Sequence, residues 1–381
     1  MAKQVKYGMV GGDIKAFIGD VHRKAINFDT RAELVAGCFS IDKELNVATA
    51  VEYDVDPSRV YDDYKKMAKA ESELDDGIDF VVITTPNHVH YDMCKTFLEA
   101  GLHVVCEKPL CFEVWQAEEL LKLSEEKKLI LAVTYAYTGY TMVKVMREMI
   151  ENGELGEILT VGGEFAQDWL LGQLEPGSEG KELSVWRMDP EYSGISNSMG
   201  DLGTHIEHMV HYTTGLKIKR VLATTNKYGH KLDLNANVIA EYESGINGTY
   251  WSSQIASGRL NGLAVRVYGT KASLEWEQHY PDYLRFTPKN EPPRILSRGT
   301  GYLSGAAASY SRLPFGHPEG LFVGFANIYK NIISTITKLK AGQKPTEQDL
   351  DFPNAYDGLN GVKFVHAVIK SAESDAAWVT L

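Results

Sequence analysis

At 381 residues the chain is longer than one ordinary core organises, and length alone predicts two domains, or three. A hydrophobic content of 44% with 10% aromatic residues excludes a disordered chain and allows a sizeable core. Lysine and arginine total 39 against 51 acids, a formal charge of −12 with no basic run, which excludes a nucleic-acid footprint.

Cys38, Cys94, Cys106 and Cys111 lie in or beside apolar runs without a C-x-x-C pair, the pattern of reduced, buried thiols. Met-Ala-Lys-Gln-Val leads straight into a strand with no signal-peptide core, and no stretch is apolar enough to span a membrane, so a cytoplasmic protein with no membrane partner is expected.

In chain order, Val5 to Val10 reads as a short strand. Gly11-Gly12-Asp13-Ile14-Lys15-Ala16-Phe17-Ile18-Gly19 and a helical pattern through Ile26 follow. Strand, glycine turn and helix suit a dinucleotide, because G-x-G-x-x-G lets the backbone approach a pyrophosphate at a helix N-terminus. Gly11 fills the first position and Ala16 the third, but Asp13 stands where the second glycine belongs. An ordinary turn with Asp13 as helix N-cap accounts for the same residues.

A second strand, Glu33 to Phe39, ends in Ser40 with Asp42 beyond, and helical segments follow around Lys43 to Glu52 and Tyr61 to Ala70. The strand Phe80 to Thr84 runs into Thr85-Pro86-Asn87-His88-Val89-His90, which opens a helix to Ala100. Next, the apolar run Leu102 to Cys106 ends in Glu107 and Lys108, closed by Pro109, which cannot continue a central strand. Ligands of open parallel sheets bind beyond the carboxyl ends of strands, so Lys108 is placed to touch a substrate; a surface salt bridge is the plainer reading. A helix from Glu113 to about Lys127 and a strand from Leu129 to Val133 complete an alternation that predicts a doubly wound parallel sheet.

In the second part, Thr138 to Asn152 reads as a helix and Gly156 starts a strand to Ala166. From Asp168 to Ser198 a loop is expected, carrying Trp169, a Gly/Pro/Glu-rich stretch and Trp186-Arg187, an aromatic and a cation that suit a flat, hydroxylated ligand or equally an exposed packing patch. Met199-Gly200-Asp201-Leu202-Gly203-Thr204-His205-Ile206-Glu207-His208 then enters a helix ending at Gly215. Asp201 and His205 stand at i and i+4, one helix face, where a carboxylate can orient an imidazole for acid/base work. A helix-start aspartate and a packed histidine explain the same spacing. Strands at Arg220 to Thr225, Val238 to Tyr242, Gly248 to Gln254, Leu263 to Tyr268 and Ala272 to Trp276 are spaced like a meander. A loop from about His279 to Gly316 leads through Gly316-His317-Pro318-Glu319-Gly320 into a helix to about Ala341, and Asp351 to Ser374 forms a last amphipathic helix.

Thr85-Pro86-Asn87-His88 with His90, Glu107-Lys108-Pro109, and a glycine-rich turn followed by D-x-G-x-H at Asp201 to His205 together resemble the glucose-fructose oxidoreductase and inositol dehydrogenase family (Gfo/Idh/MocA) over nearly the whole length. The resemblance implies an α/β protein with an N-terminal Rossmann domain, residues 1–134. A C-terminal α+β domain, residues 135–381, would carry a large open, mainly antiparallel sheet for substrate binding and oligomerisation. It also implies hydride transfer between a nicotinamide and a secondary hydroxyl of a sugar, glycoside or cyclic polyol. Gly11, Asp13, Ile14, Ser40, Thr85, Asn87 and His90 would line the cofactor, with Glu107 and Lys108 beside the nicotinamide. His205 would take the hydroxyl proton, Lys108 would stabilise the alkoxide, Asp201 would orient substrate and imidazole, and Glu107 would hold Lys108. Trp186, Arg187 and His317 are the implied sugar contacts. Ser40 in place of an acidic ribose ligand, with no arginine after it, favours NAD over NADP. A homo-oligomer, dimer or tetramer, is expected.

Asp13 departs from the family pattern, and His208 replaces the acid or amide common at its position. Two rivals carry other chemistry: a metal-dependent hydrolase or isomerase built on Asp201, His205 and His208, and a nucleotide-binding sensor of the same fold.

Overall fold

The computed structural model describes residues 4–174, 185–299, 301 and 305–381, in two compact units. Unit one takes Met1–Gly139 and Leu321–Leu359, and unit two Tyr140–Gly320 and Asn360–Leu381.

In chain order the first unit runs β1 (Val5–Gly11), α1 (Phe17–Asn27), β2 (Ala32–Cys38), α2 (Lys43–Glu52), α3 (Tyr64–Glu73), β3 (Phe80–Thr84), α4 (His90–Glu99), β4 (His103–Cys106), α5 (Val114–Lys127) and β5 (Leu131–Val133). The second contributes α6 (Thr141–Glu151), β6 (Ile158–Ala166), α7 (Val185–Met188), α8 (Pro190–Ser193), α9 (Thr204–Thr214), β7 (Ile218–Asn226), β8 (Asn235–Tyr242), β9 (Asn247–Ser253), β10 (Gly262–Gly269), β11 (Ala272–Glu277), β12 (Tyr283–Pro288) and β13 (Arg294–Ser297). Then come α10 (Leu321–Lys340), α11 (Ala355–Glu373) and β14 (Val379–Thr380).

The sheet of unit one is parallel in the order β2-β1-β3-β4-β5. β3 is buried at every position, as a central strand covered on both faces must be, which explains its unbroken apolar sequence. Gly11 pairs with Thr84, and Cys106 pairs with both Ile83 and Val133, so β1, β3, β4 and β5 end together along one edge. The strand order reverses between β1 and β3, the switch point at which such sheets bind ligands.

A boundary at 134/135 differs from this division because α10 returns to the first unit. Its buried face, including Phe325, Ile328, Tyr329 and Ile332, shares one core with Tyr7 and Met9 of β1 and Val21, Ala25 and Ile26 of α1. That face is needed to cover the sheet, and sequence order does not reveal which sheet an apolar helix covers.

Among the described residues the sheet of unit two has the order β13-β12-β11-β10-β6-β9-β8-β7-β14, and all its pairs are antiparallel except β6 with β9. It is not a simple meander: β6 inserts between β10 and β9. β8 alternates buried Ala236, Val238 and Ala240 with exposed Asn237 and Ile239, the period of a sheet covered on one face. β12 and β13 occupy the stretch expected to be a loop. Pro281, Pro288, Pro292 and Pro293 bracket these short strands and mask their alternation, and β13 sits at the edge, where irregular pairing is tolerated. The expected loop before Ser198 contains α7 and α8, while its Gly/Pro/Glu-rich part lies outside the described residues. No helix among the described residues is long and apolar enough to cross a membrane.

Candidate active site

The glycine turn of unit one lies at the end of β1. Gly11 and Gly12 hold φ of 77° and 75°, a region open to glycine without a Cβ penalty. A Cβ on Gly12 would lie 2.8 Å from Thr84 Oγ1, and one on Gly19 would lie 2.2 Å from the Cα of Gly12. Turn and helix therefore meet backbone to backbone, the task of the third glycine in a dinucleotide turn, and Gly19 performs it. Ala16, expected there, is instead the extended residue preceding α1. The loop is longer than the standard pattern, so counting from Gly11 places the contact too early in the chain.

Asp13 does not cap α1 either. Its Oδ1 accepts the Lys15 amide at 2.9 Å and its carbonyl accepts the Ala16 amide at 2.8 Å, closing the loop on itself. Ile14 is exposed beside it, with its amide donating to Thr49 Oγ1 at 3.2 Å. Ser40 follows β2 and accepts the Asp42 amide at 3.3 Å, while Thr85 and Asn87 are half-buried after β3. Gly11 thus ends β1, and Asp13, Ile14, Ser40, Thr85 and Asn87 stand on the loops leaving the carboxyl ends of β1, β2 and β3.

His90 has another place. It is fully buried, with its ring nitrogens 2.9 Å from the carbonyls of Thr85 and Pro109, so it ties two edge loops together rather than presenting its ring at the surface. Burial pushes its pKa down against the pull of both carbonyls, and a neutral ring donates to one of them at a time.

Lys108 is half-buried directly after β4, and its peptide bond to Pro109 is cis. Glu107, before it, is buried. Its Oε1 accepts from His22 Nε2 at 2.8 Å and from Thr134 Oγ1, and its amide donates to the Ile83 carbonyl at 3.0 Å. Burial raises the pKa of this carboxyl, but the His22 hydrogen bond and charge, then the Lys108 charge and the Thr134 hydroxyl, outweigh it and hold the group below its usual value. His22, fully buried on α1, was not among the expected site residues. Neither was its second partner, Tyr329 of α10, whose hydroxyl lies 2.5 Å from His22 Nδ1.

In unit two, Asp201 sits in a π-turn, Met199–Gly203, that leads into α9, which begins at Thr204. The expected regular-helix spacing of Asp201 and His205 is therefore altered at its first residue. Buried Asp233 builds the turn: Oδ1 accepts the Ser196 hydroxyl at 2.7 Å and the Asn197 amide at 2.9 Å, and Oδ2 accepts the Met199 amide at 3.0 Å. The Ser196 hydroxyl oxygen accepts the Met199 and Gly200 amides, each at 3.1 Å. Small residues let the widened turn close, and π-turns of this kind recur at functional sites.

The Asp201 carboxylate accepts from Gln254 Nε2 at 3.1 Å and lies 3.9 Å from Arg187 Nε. Arg187 in turn stacks over the Trp186 ring, 4.3 Å from its centroid. Asp201, Trp186 and Arg187 are thus brought together. His205 is buried on α9 with its ring 5.8 Å from that of Phe165, and His208 is buried 6.2 Å from the Tyr212 ring. His317 lies on an exposed loop whose shape comes from Arg298: that guanidinium donates to the carbonyls of His317 and Leu313 and pairs with Asp282 and Glu319. Among the described residues no three His, Cys, Asp or Glu side chains group as a metal centre would.

A dinucleotide fits the first unit. The glycine turn keeps Cβ atoms away from the start of α1, and β1, β3 and β4 end along the edge that carries the switch point.

Comparison with known proteins agrees. Residues 5–135 match the Gfo/Idh/MocA oxidoreductase family model, described as an NAD-binding Rossmann fold, and residues 143–275 match a Gfo/Idh/MocA C-terminal domain. An uncharacterized oxidoreductase of Bacillus subtilis, YfiI, is 35% identical over 100% of this chain and 97% of its own. A crystal structure of an oxidoreductase from Sinorhizobium meliloti is 42% identical with a TM-score of 0.88, over 99% of this chain and 100% of the other. An inositol dehydrogenase homolog from Azotobacter vinelandii, complexed with NADH and myo-inositol, is 35% identical with a TM-score of 0.90, over 100% and 98%. With a glycine turn at the switch point, a lysine at the end of β4 and full-length relatives of this kind, the chain belongs to the Gfo/Idh/MocA family of NAD-dependent oxidoreductases.

Proposed function

We propose that the protein transfers hydride between NAD and a secondary hydroxyl of a cyclic polyol or sugar, with an inositol-like ring as the first substrate to test. The observation that carries this reading is Lys108 directly beyond β4, at the same edge of the sheet as the switch point, in a chain 35% identical end to end to one complexed with NADH and myo-inositol.

A nicotinamide, when bound, would supply the hydride acceptor, and the edge residues Gly11, Asp13, Ile14, Ser40, Thr85 and Asn87 would hold it. Lys108 then places an ammonium at the oxygen where negative charge develops, and a preorganised cation of this kind lowers a barrier by a few kcal/mol. His205 takes the hydroxyl proton as general base. Asp201, steadied by Gln254, accepts a substrate hydroxyl, and the Trp186–Arg187 pair offers an aromatic face and a donor for a hydroxylated ring. His317 is a further contact for the same ring. Ser40, a neutral residue after β2 with Asp42 beyond, supports NAD over NADP, because a 2′-phosphate would meet no arginine there.

The assay is nicotinamide reduction with myo-inositol, its stereoisomers, free hexoses and glycosides, each with NAD and with NADP. Turnover confined to cyclic polyols or sugars and faster with NAD supports the reading. No turnover of any polyol or sugar, with NAD bound, sinks it.

We also infer a homo-oligomer, dimer or tetramer, covering the open face of the unit-two sheet, where Ile239 is exposed. Light scattering at the 42.4 kDa of one chain across micromolar concentrations would refute it.

A further inference from the structure

Four residues far apart in sequence form one buried line in unit one. Tyr329 Oη lies 2.5 Å from His22 Nδ1, His22 Nε2 lies 2.8 Å from Glu107 Oε1, and Thr134 Oγ1 donates to the same carboxylate oxygen. The packing fixes the ring: Phe325 meets His22 edge-on at 4.9 Å and Tyr329 at 5.8 Å.

The chemistry sets the direction of the protons. An ionised carboxylate only accepts, so His22 Nε2 donates to Glu107, and the other ring nitrogen, Nδ1, is hydrogen-bonded to the Tyr329 hydroxyl. Burial pushes the Tyr329 hydroxyl far above its ordinary value, so it keeps its proton. The line ends on the residue joined to Lys108.

We propose that Tyr329 and His22 are positioning residues for the reaction proposed above, acting on Lys108 through Glu107: they keep a buried carboxylate ionised beside the lysine, and that charge sustains the ammonium. The proposal rests on the dehydrogenase reading for its purpose, but the charge linkage stands on the geometry.

The ionisable groups that face Glu107 are His22 from α1, Lys108 beside it, His90 from α4 and Cys106 from β4; Tyr329 from α10 faces it through His22, with Tyr7 of β1 behind. His22 provides the largest interaction favouring the charged carboxylate, ahead of Lys108 and Thr134. Losing the His22 donor would leave a buried carboxyl that takes up a proton, and Lys108 would lose the negative charge of the residue before it.

The test is acetylation of the substrate-free protein with acetic anhydride across a pH series, with Lys108 followed in its own peptide by mass spectrometry. Removal of Glu107's charge (Glu107→Gln) or of the His22 donor (His22→Leu) should move the onset of Lys108 reactivity to lower pH by about one unit, a tenfold rise in acylation at fixed pH. Tyr329→Phe should move it less, in the same direction. His22→Gln, which returns a donor near the Nε2 position, should restore most of the wild-type curve. The His22→Leu and Glu107→Gln pair should move it no further than Glu107→Gln alone, because both act through one charge.

Thermal melting checks that each variant is folded. Should His22→Leu not fold, Tyr329→Phe and Glu107→Gln, which keep shape, decide alone. An unmoved curve in Glu107→Gln, or in every folded variant of His22 and Tyr329, overturns the proposal. A shifted curve in a protein that reduces no NAD with any polyol overturns the dehydrogenase reading and leaves the linkage standing.

Discussion

The backbones of Gly12 and Gly19 touch: a Cβ on Gly19 would stand 2.2 Å from the Cα of Gly12. The atom met is backbone, so a side chain there cannot be accommodated by a rotamer change. Gly19→Ala must push α1 away from the turn at the end of β1. Overpacking of this kind costs about 1–3 kcal/mol, and here it also widens the place where a pyrophosphate would lie. The variant should melt several degrees lower and bind NADH more weakly, by calorimetry and by fluorescence titration. Unaltered melting and binding would mean that the contact is looser than the structure has it.

Gly19 also shows where sequence reasoning stops. The strands of unit one were legible because β3 is buried at every position and β1 and β4 at most of theirs, so that each reads as a largely apolar run. Lys108 was legible because Pro109 ends β4 right after a charged pair. The close glycine contact was not, since it depends on the length of the loop rather than on a fixed spacing. Tyr329 was out of reach for another reason: nothing local marks one tyrosine of an apolar helix as the partner of a histidine that precedes it by most of the chain. The π-turn at Met199–Gly203 was invisible because its main support, Asp233, sits in a different stretch, and the amides it accepts have no sequence signature.

Lys108→Ala and His205→Ala should fail in different ways. In the proposed reaction the ammonium acts mainly on the transition state, so its removal should lower kcat by ~10²–10³ with NADH affinity little changed. Removing the imidazole should cost ~10²–10⁴ in kcat and also abolish the acidic limb of the pH profile for polyol oxidation, because only a neutral ring accepts the proton. Steady-state rates across pH check both. Full activity in Lys108→Ala, or an acidic limb that persists in His205→Ala, would reassign the corresponding role.

Asp349 anchors the end of α10 to the loop after it. Its carboxylate pairs with Lys338, and it accepts the Ser334 hydroxyl at 2.7 Å, the Thr346 amide at 2.7 Å and the Thr346 hydroxyl at 2.6 Å. Burial works to raise its pKa, but the Lys338, Thr346 and Ser334 hydrogen bonds prevail and hold it well below the usual range. A depressed carboxyl stabilises the fold above its unfolded value, about 3.9, and that contribution disappears as pH falls through the folded value. Asp349→Ala should therefore be less stable than wild type by about 2 kcal/mol near neutral pH, with the gap closing in strong acid. Urea unfolding at a series of pH values measures it. A gap that does not change with pH would show that the loss is one of packing rather than of charge.

Asp13 places a carboxylate in a turn where the dinucleotide pattern has glycine, and its Oδ1 is occupied by the Lys15 amide at 2.9 Å. That bond holds the loop in shape, so Asp13→Gly would change charge and conformation together and separate neither. Asp13→Asn keeps an oxygen for the Lys15 amide while removing the charge. Two unit charges ~4 Å apart repel by about 1 kcal/mol in water and by more at lower effective dielectric. If the carboxylate bears on the pyrophosphate, Asp13→Asn should bind NADH at least about fivefold more tightly, with the gain shrinking as salt is raised. Calorimetric titration of both proteins at low and high ionic strength decides it. Unchanged affinity at both would mean that the carboxylate serves the turn alone, its charge directed away from the cofactor.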